Sequence, residues 1–458
     1  MKKQHVWPLA FSFILALASC KKDAPANNNS GGGSTDSTLA NTPSNLVKDS
    51  SLLYARDIYL WYDQIPTTFK PRTYADPDAI MRAIRPYSIE PGFANPVDRW
   101  SFAALKKDWD NTSAGIQQDF GMYVFFLQEG DLRVRFVEKN SPADKAGIRR
   151  GWRITRINNL NTITTSAANS IVNAVYFSTT GSFGFQKPDG GTADVTLNAA
   201  TYNSDPVLLD SVYTAGTKKV GYMVFNSFLG DTSSIYSSFT RIFNKFASNG
   251  VNDVVVDLRY NGGGYVSVQQ RLANWLAPTA ANGKVQMNQT YNNRYSSYNA
   301  TYRFQKLGGL NLDRIFFIVS SNTASASELL INNLRPYMNV RVVGPSASYG
   351  KPVGYFPIPV GDWYVFPVSL RTTNANNEGN YFNGFVPEKV TADGIDKDWG
   401  DRGEASFASV LNFISTGTFG YLRPNITLNS AENAALGRTN AMLEGNTFKG
   451  AVVNPKQR

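Results

Sequence analysis

The chain has 458 residues, a formal net charge of +10, and 42% hydrophobic and 13% aromatic residues, a composition that suits two to four folded domains. Its single histidine, His5, and its single cysteine, Cys20, both fall in a leader-like stretch. A mature chain therefore offers no Ser-His-Asp triad, no Cys-His pair, no His-ligated zinc and no intramolecular disulfide. Lys and Arg are spread along the chain rather than clustered, which argues against nucleic acid as a partner.

Residues 1–19 read as a secretion signal. Lys2-Lys3 opens it, and the apolar run 6–18 is too short to span a bilayer. Leu17-Ala-Ser-Cys20 resembles a bacterial lipobox, which implies lipidation of Cys20 and anchoring to a bacterial membrane in the cell envelope, facing the periplasm or the surface. Residues 20–43, rich in Asn, Ser, Gly and Thr, are expected to be a flexible tether. Residues 44–112 are expected to be a helical N-terminal domain. Leu46, Leu52, Leu53, Ile58, Leu60 and Trp61 recur at helical intervals, and Asp76-Pro77 signals a second helix over 74–85. Residues 113–205 read as a β-rich unit with a helix over 165–175 and strands over 182–186 and 192–198.

From 206 to 416 strands and helices alternate. Strands are expected over 220–225, 251–258, 315–319, 340–344 and 363–370. Helices are expected over 232–248, 266–276, 328–338 and 404–416, the third disturbed by Pro336. The pattern implies parallel βαβ units with both sheet faces covered. Sites in such sheets lie at the carboxyl ends of strands, where both 261–264 and 320–327 fall. Residues 417–458 are polar, weakly periodic and without a motif: a C-terminal extension.

The turn 320–327 joins a buried strand to a helix. A serine there is exposed and backed by helix N-terminal N–H groups that stabilise developing negative charge. With histidine excluded, lysine is the natural remaining base for such a nucleophile. Lys351 follows Ser325 by 26 residues, across one helix and one strand, a path that returns it to the first strand's end.

Thr323-Ala-Ser-Ala-Ser-Glu328, Val342-Val-Gly344 and Tyr349-Gly-Lys351 together resemble the catalytic segment of the carboxyl-terminal processing peptidases, the tail-specific proteases. The resemblance implies that Ser325 is the nucleophile and Lys351 the general base. Asp257-Leu-Arg-Tyr-Asn-Gly-Gly-Gly264 resembles the same family's glycine signature. Three glycines let backbone approach a substrate closely and aim an N–H at an oxyanion. Gly262 or Gly263, paired with the N–H of Ala326, is expected to form the oxyanion hole, with Asp257 and Arg259 bracing the loop as an ion pair. Asp98-Arg-Trp-Ser-Phe102 resembles a stretch near the start of these peptidases and is given no chemical role. Gly384-Phe-Val-Pro-Glu388 and Trp399-Gly-Asp401 resemble their closing stretch. Many relatives carry Gln or Glu four residues after the lysine, to orient it. Tyr355 stands there instead and leaves that partner unassigned.

Ser141-Pro-Ala-Asp-Lys-Ala-Gly-Ile148 followed by Gly151-Trp-Arg-Ile-Thr-Arg-Ile-Asn158 resembles a bacterial PDZ domain, with Trp152 and Asn159 departing from the usual Asp and Gly. The resemblance implies that Phe120, Gly121, Met122 and Tyr123 receive a peptide carboxylate on backbone N–H groups and that the next strand takes the peptide by edge addition.

The implied fold is α/β and multidomain: a helical N-terminal region, a PDZ domain and a crotonase-like α/β protease domain. The implied function is a serine endopeptidase that cleaves unfolded or tagged polypeptides presented by their C-terminal ends. No metal or cofactor is implied, and the oligomeric state is not legible. The Tyr355 departure keeps a second reading open, a catalytically silent peptide-binding scaffold lipoprotein.

Overall fold

Val254, Val255 and Val256 form the centre of the fully buried strand Asp253–Asp257. Alternate side chains leave opposite faces of a strand, so Val254 and Val256 enter one core and Val255 another. This strand is central to a six-stranded sheet whose order runs Lys389–Val390, Asn339–Gly344, Arg314–Ile318, Asp253–Asp257, Lys218–Phe225, Val207–Ala215. All neighbours are parallel except the last pair. Helices Thr232–Ser248, Val266–Leu276 and Ala326–Leu334 contribute Phe239, Leu272 and Leu330 to the core on one face. Helix Ala405–Thr416 contributes Phe407 and Val410 to the core on the other. Burial on both faces explains why these strands read as continuous apolar runs.

The computed structural model describes residues 41–420, 430–444 and 448–453. The expected secretion signal, Cys20 and the tether up to residue 40 lie outside the described residues. Among the described residues no helix is long and apolar enough to cross a membrane.

Helices Pro43–Ile58 and Pro77–Ile84 start as the sequence signals. The side chains of Thr42 and Asp76 accept the N–H groups of Asn45 and Ala79, and proline takes the first turn of each. The helical N-terminal segment expected over 44–112 does not keep its core to itself. Tyr59, Trp61, Ile80 and Trp100 share a single core with Val353, Tyr355, Phe366 and Leu370. Strand Phe102–Leu105 also pairs antiparallel with Trp363–Phe366. The segment is too small to bury its aromatic residues alone, so it packs against the part of the protease-like region that follows Lys351. The strand expected over 363–370 stops at Phe366 and resumes at Leu370, because Pro367 has no N–H to continue a ladder. The helix expected over 328–338 begins two residues early, at Ala326, and ends at Leu334, ahead of Pro336.

Residues 122–198 contain a five-stranded antiparallel sheet in the order Met122–Gln128, Asp131–Val137, Arg153–Ile157, Thr180–Gln186, Thr192–Asn198. The helix expected over 165–175 is split into a 3-10 turn, a short α segment and a π turn ending at Phe177. Met122–Gln128 is an edge strand of this sheet. The extension after residue 416 is folded where it is described. Helix Ser430–Leu443 and strand Gly450–Val452 both pack on the rest of the chain, Leu443 in the core of the five-stranded unit and Ala451 in that of the six-stranded sheet.

Candidate active site

Strand Arg314–Ile318 ends in a turn that delivers Ser325, and the helix starts at the next residue. Ser325 has φ +58° and ψ −104°, a region that non-glycine residues seldom enter and hold only under external constraint. The constraints are visible. The Ser325 N–H donates to Glu328 Oε2 at 2.8 Å, Ala324 N–H and Ser327 Oγ both donate to the Asn261 carbonyl at 3.0 Å, and Thr323 Oγ1 donates to the Leu258 carbonyl at 2.8 Å. The turn is thus tied to the loop at the end of the neighbouring parallel strand. Ser325 Oγ is buried and has no hydrogen-bond partner among the described residues.

The glycine loop lies against this turn. Gly263 has φ +105°, and a Cβ on it would fall 3.0 Å from the Ala324 carbonyl oxygen and 3.1 Å from the Ala326 nitrogen, so glycine is required there. The structure therefore brings the expected oxyanion groups together, with one correction. The Gly263 N–H is already spent on Asn261 Oδ1 at 2.9 Å. The N–H groups of Gly262 and Ala326 have no acceptor among the described residues, and these two are the available donors. Asn261 holds the loop further, through Nδ2 to the Phe225 carbonyl at 2.9 Å.

Lys351 is 1% exposed. Burial pushes its amine well below the ordinary lysine range, with Asp98 and Glu328 opposing that push by their charge. Its Nζ stands 3.7 Å from the centre of the Tyr355 ring and 5.7 Å from that of Trp100, and donates to the Lys449 carbonyl at 3.1 Å. Lys351 Nζ and Ser325 Oγ are not hydrogen-bonded to each other. Their backbones are joined through one carboxylate. Glu328 accepts from Ser325 N and Lys351 N at 2.8 Å, and from Ser348 Oγ and Gly350 N at 2.6 Å.

Arg259 is fully buried and pairs with Asp257 at 2.7 Å and with Glu404 at 2.7 Å, and reaches Asp393 at 3.3 Å. It braces the glycine loop as expected, with partners from the closing stretch that the sequence does not point to. Arg150, from the five-stranded unit, donates to Tyr260 Oη at 2.7 Å and to the Asp393 carbonyl at 2.7 Å, so that unit and the glycine loop share one network.

The expected carboxylate cradle at Phe120, Gly121, Met122 and Tyr123 is built differently. Phe120 and Met122 point into the core, and Tyr123 stacks on Phe136 at 4.2 Å between ring centres. The Gly121 N–H is taken by Asp119 Oδ1 at 2.7 Å. Burial, reinforced by the Asp119 charge, pushes the nearby Glu138 carboxyl up to about 8. The Asp119 side chain on the Gly121 N–H leaves that donor closed to a peptide carboxylate, and on the adjacent edge strand the Val124 and Phe126 N–H groups are met by Tyr176 Oη and Asn440 Oδ1. A cavity of about 600 Å³ runs from Tyr123, Glu138 and Tyr176 to Gly262, Gly263 and Phe448.

Residues 219–390 match the sequence profile of peptidase family S41, and residues 52–102 match that of the peptidase S41 N-terminal domain. Both segments are thus of the peptidase family S41 type. It is 25% identical over 305 residues to the carboxy-terminal processing protease CtpB of Bacillus subtilis, covering 64% of this chain and 57% of that one. It is 25% identical over 265 residues to a Staphylococcus aureus chain assigned as a CtpA-like serine protease, covering 56% and 49%. The chain thus spans about half the length of these curated relatives. A Bacteroides fragilis chain assigned to the S41 proteases has the same fold, with a TM-score of 0.66 and 23% identity over 81% of this chain and 97% of that chain.

Within the S41 frame, five residues at the site carry roles that sequence reasoning did not assign. Glu328, Asn261 and Trp100 each sit inside a motif read from the sequence, so the signal was present without the geometry. Phe448 and Lys449, which meet the glycine loop and Lys351, lie in a stretch with no motif at all.

Proposed function

We propose that this chain is a serine endopeptidase of the C-terminal processing type, with Ser325 as nucleophile and Lys351 as general base. The observation that carries the proposal is a buried, unpaired hydroxyl on a strained strand-to-helix turn, tied through Glu328 to a lysine whose amine is dried out by burial. Such a lysine is neutral enough at working pH to accept a proton. Lys351 Nζ takes the proton of Ser325 Oγ as Oγ bonds to the substrate carbonyl carbon. The carbonyl oxygen takes the displaced electron pair and is held by the N–H groups of Gly262 and Ala326. The tetrahedral centre collapses, the C–N bond breaks, and the ammonium of Lys351 returns its proton to the leaving amine. Water then attacks the acyl-Ser325 ester by the reverse proton path.

The five-stranded unit is proposed to be a PDZ domain that takes polypeptide along the edge strand Met122–Gln128. The acidic surroundings of Gly121 favour main-chain pairing over carboxylate capture. Cys20 is proposed to carry lipid and to hold the enzyme in a bacterial envelope, with unfolded or tagged polypeptides as substrates. The scaffold reading keeps one supporting observation, that Lys351 is bonded to Lys449 and not to Ser325.

The test is degradation of an unfolded protein with an apolar C-terminus by the protein without its leader, beside Ser325→Ala and Lys351→Ala. Cleavage by wild type and loss in both folded variants, by about a thousandfold or more, is expected. A wild type that binds the substrate and never cuts it establishes the scaffold.

A further inference from the structure

The segment after residue 429 contacts both surfaces to which polypeptide binding has just been assigned. Strand Gly450–Val452 pairs in parallel with Gly263–Tyr265, register Gly263↔Gly450, and the Gly450 N–H donates to the Gly262 carbonyl at 2.8 Å. On its other side the Tyr355 N–H donates to the Ala451 carbonyl at 3.2 Å, and the Val453 N–H donates to the Tyr355 carbonyl at 3.1 Å. A strand is thus inserted between the glycine loop and the residues that follow the lysine. The Lys449 carbonyl receives both Lys351 Nζ at 3.1 Å and Tyr355 Oη at 3.3 Å. The Phe448 ring enters an aromatic pocket, 5.2 Å from Trp109, 6.2 Å from Phe102 and 6.3 Å from Tyr355.

Upstream, helix Ser430–Leu443 covers the edge strand Met122–Gln128. Asn440 takes the place of a paired strand residue. Its Oδ1 accepts the Phe126 N–H at 2.8 Å and its Nδ2 donates to the Phe126 carbonyl at 2.9 Å. Tyr176 Oη accepts the Val124 N–H and donates to the Leu443 carbonyl at 2.7 Å, and Leu443 is buried in the core of the unit. Glu444 is clamped by Asn322, in the nucleophile turn, at 2.8 Å and by Arg135 at 3.4 Å. Main-chain pairing on both sides, a carbonyl at the base and an apolar side chain in a pocket are how an extended substrate is held.

We infer that helix Ser430–Leu443 and residues 448–453 are the chain's own ligand: they occupy the edge of the five-stranded unit and the catalytic cleft in cis, and a polypeptide substrate takes their place. The segment also names the substrate class. The cleft takes an extended chain with a large apolar, preferably aromatic, side chain in the pocket that holds Phe448. The inference rests on the peptidase reading for its consequence, since a cleft filled from within lowers activity by the fraction of molecules in which it stays filled.

The test uses the whole chain with Gly450→Val. A Cβ at Gly450 would fall 2.1 Å from Tyr355 Oη and 2.3 Å from the Phe448 ring, so the branched side chain is expected to expel the strand. Three readouts are compared with wild type: hydrogen exchange of the amides of residues 450 and 453, labelling of Ser325 by a fluorophosphonate, and binding of a fluorescein-labelled synthetic peptide of sequence 446–455. Wild type is expected to protect these amides and to ignore the peptide. The variant is expected to lose the protection, to bind the peptide, and to label at least about tenfold faster, with the unlabelled peptide slowing that labelling again. Phe448→Ala, which adds no clash, is expected to move all three in the same direction by less. Peptide binding restricted to the variants, with no labelling of either form, upholds the self-bound ligand and removes the peptidase reading. Unprotected tail amides in wild type, or folded variants that neither bind the peptide nor label faster, overturn the inference.

Discussion

The amine of Lys351 rests on the face of Tyr355, 3.7 Å from the ring centre. The residue that departs from the family pattern is therefore itself the lysine's neighbour, through its ring rather than through a carboxyl or amide group. The Tyr355 ring helps to dry out the amine, and its hydroxyl is turned to the Lys449 carbonyl at 3.3 Å. Tyr355→Phe keeps the ring and is expected to retain activity, with an unchanged pH profile. Tyr355→Ala removes a fully buried ring and admits water to Nζ, so the amine's pKa moves back up. Activity at neutral pH should fall by about tenfold or more and recover at higher pH. The pH–rate profiles of the two variants decide the matter, and a Tyr355→Phe profile displaced like that of Tyr355→Ala would assign the effect to the hydroxyl.

Arg259 offers a second prediction. Its guanidinium is fully buried between the carboxylates of Asp257 and Glu404, both also buried. Removing the cation leaves two buried acids facing each other, which costs about 3–5 kcal/mol. Arg259→Met should lower the midpoint of chemical unfolding accordingly and reduce cleavage, because the glycine loop starts at the next residues. Arg259→Lys keeps the charge but not the planar fork that meets both carboxylates, and should recover less than half of the loss. Equal stability of wild type and Arg259→Met in urea would refute the bracing role.

What the sequence made legible follows a physical division. Val254–Val256, the helices Thr232–Ser248 and Val266–Leu276, and the turn that carries Ser325 are set by local patterning, and each was readable. Helix Val266–Leu276 needs no partner to be recognised, because its apolar stripe and its flanking loop suffice. The shared core of Tyr59, Trp61 and Tyr355 was not readable, since it depends on contacts hundreds of residues apart. The Gly263 amide looked like a free donor because a side-chain bond from Asn261, two residues earlier, leaves no periodic trace. Phe448 and Lys449 lie in a polar extension where short-range pattern carries no information, and their place is fixed by backbone pairing with Gly263–Tyr265.

Glu138 gives a third prediction, about stability against pH. Burial, with the charge of Asp119 second among the groups that raise it, moves its carboxyl from an ordinary value near 4.5 to about 8. Between those values the folded chain holds a proton that the unfolded chain has lost. Stability then falls as pH rises through this window. Glu138→Gln keeps an acceptor for Asn226, which donates to Oε1 at 3.0 Å, and has nothing to ionise. Thermal unfolding from pH 5 to 8 should show a steeper decline for wild type than for Glu138→Gln, with the variant the more stable at pH 8. Parallel curves would show that the carboxyl is already ionised in the folded protein.

Lys351 carries the opposite sign and gives the last prediction. Its amine is pushed down by burial, so between its folded pKa and the ordinary lysine value the unfolded chain binds the extra proton. In that window stability rises with pH. Activity follows the same group, because the neutral amine is the base, so kcat/KM should climb with pH along a single limb centred well below the ordinary value of about 10.4. Lys351→Met fills the same space without an ionisable group. It should unfold at a higher temperature than wild type at neutral pH, lose that advantage as pH rises, and be inactive throughout. Measuring unfolding and cleavage over one pH series joins the two effects to one residue. A Lys351→Met protein less stable than wild type at neutral pH would mean that the amine is charged and paired in the folded state, and the proposed base would have to be sought elsewhere.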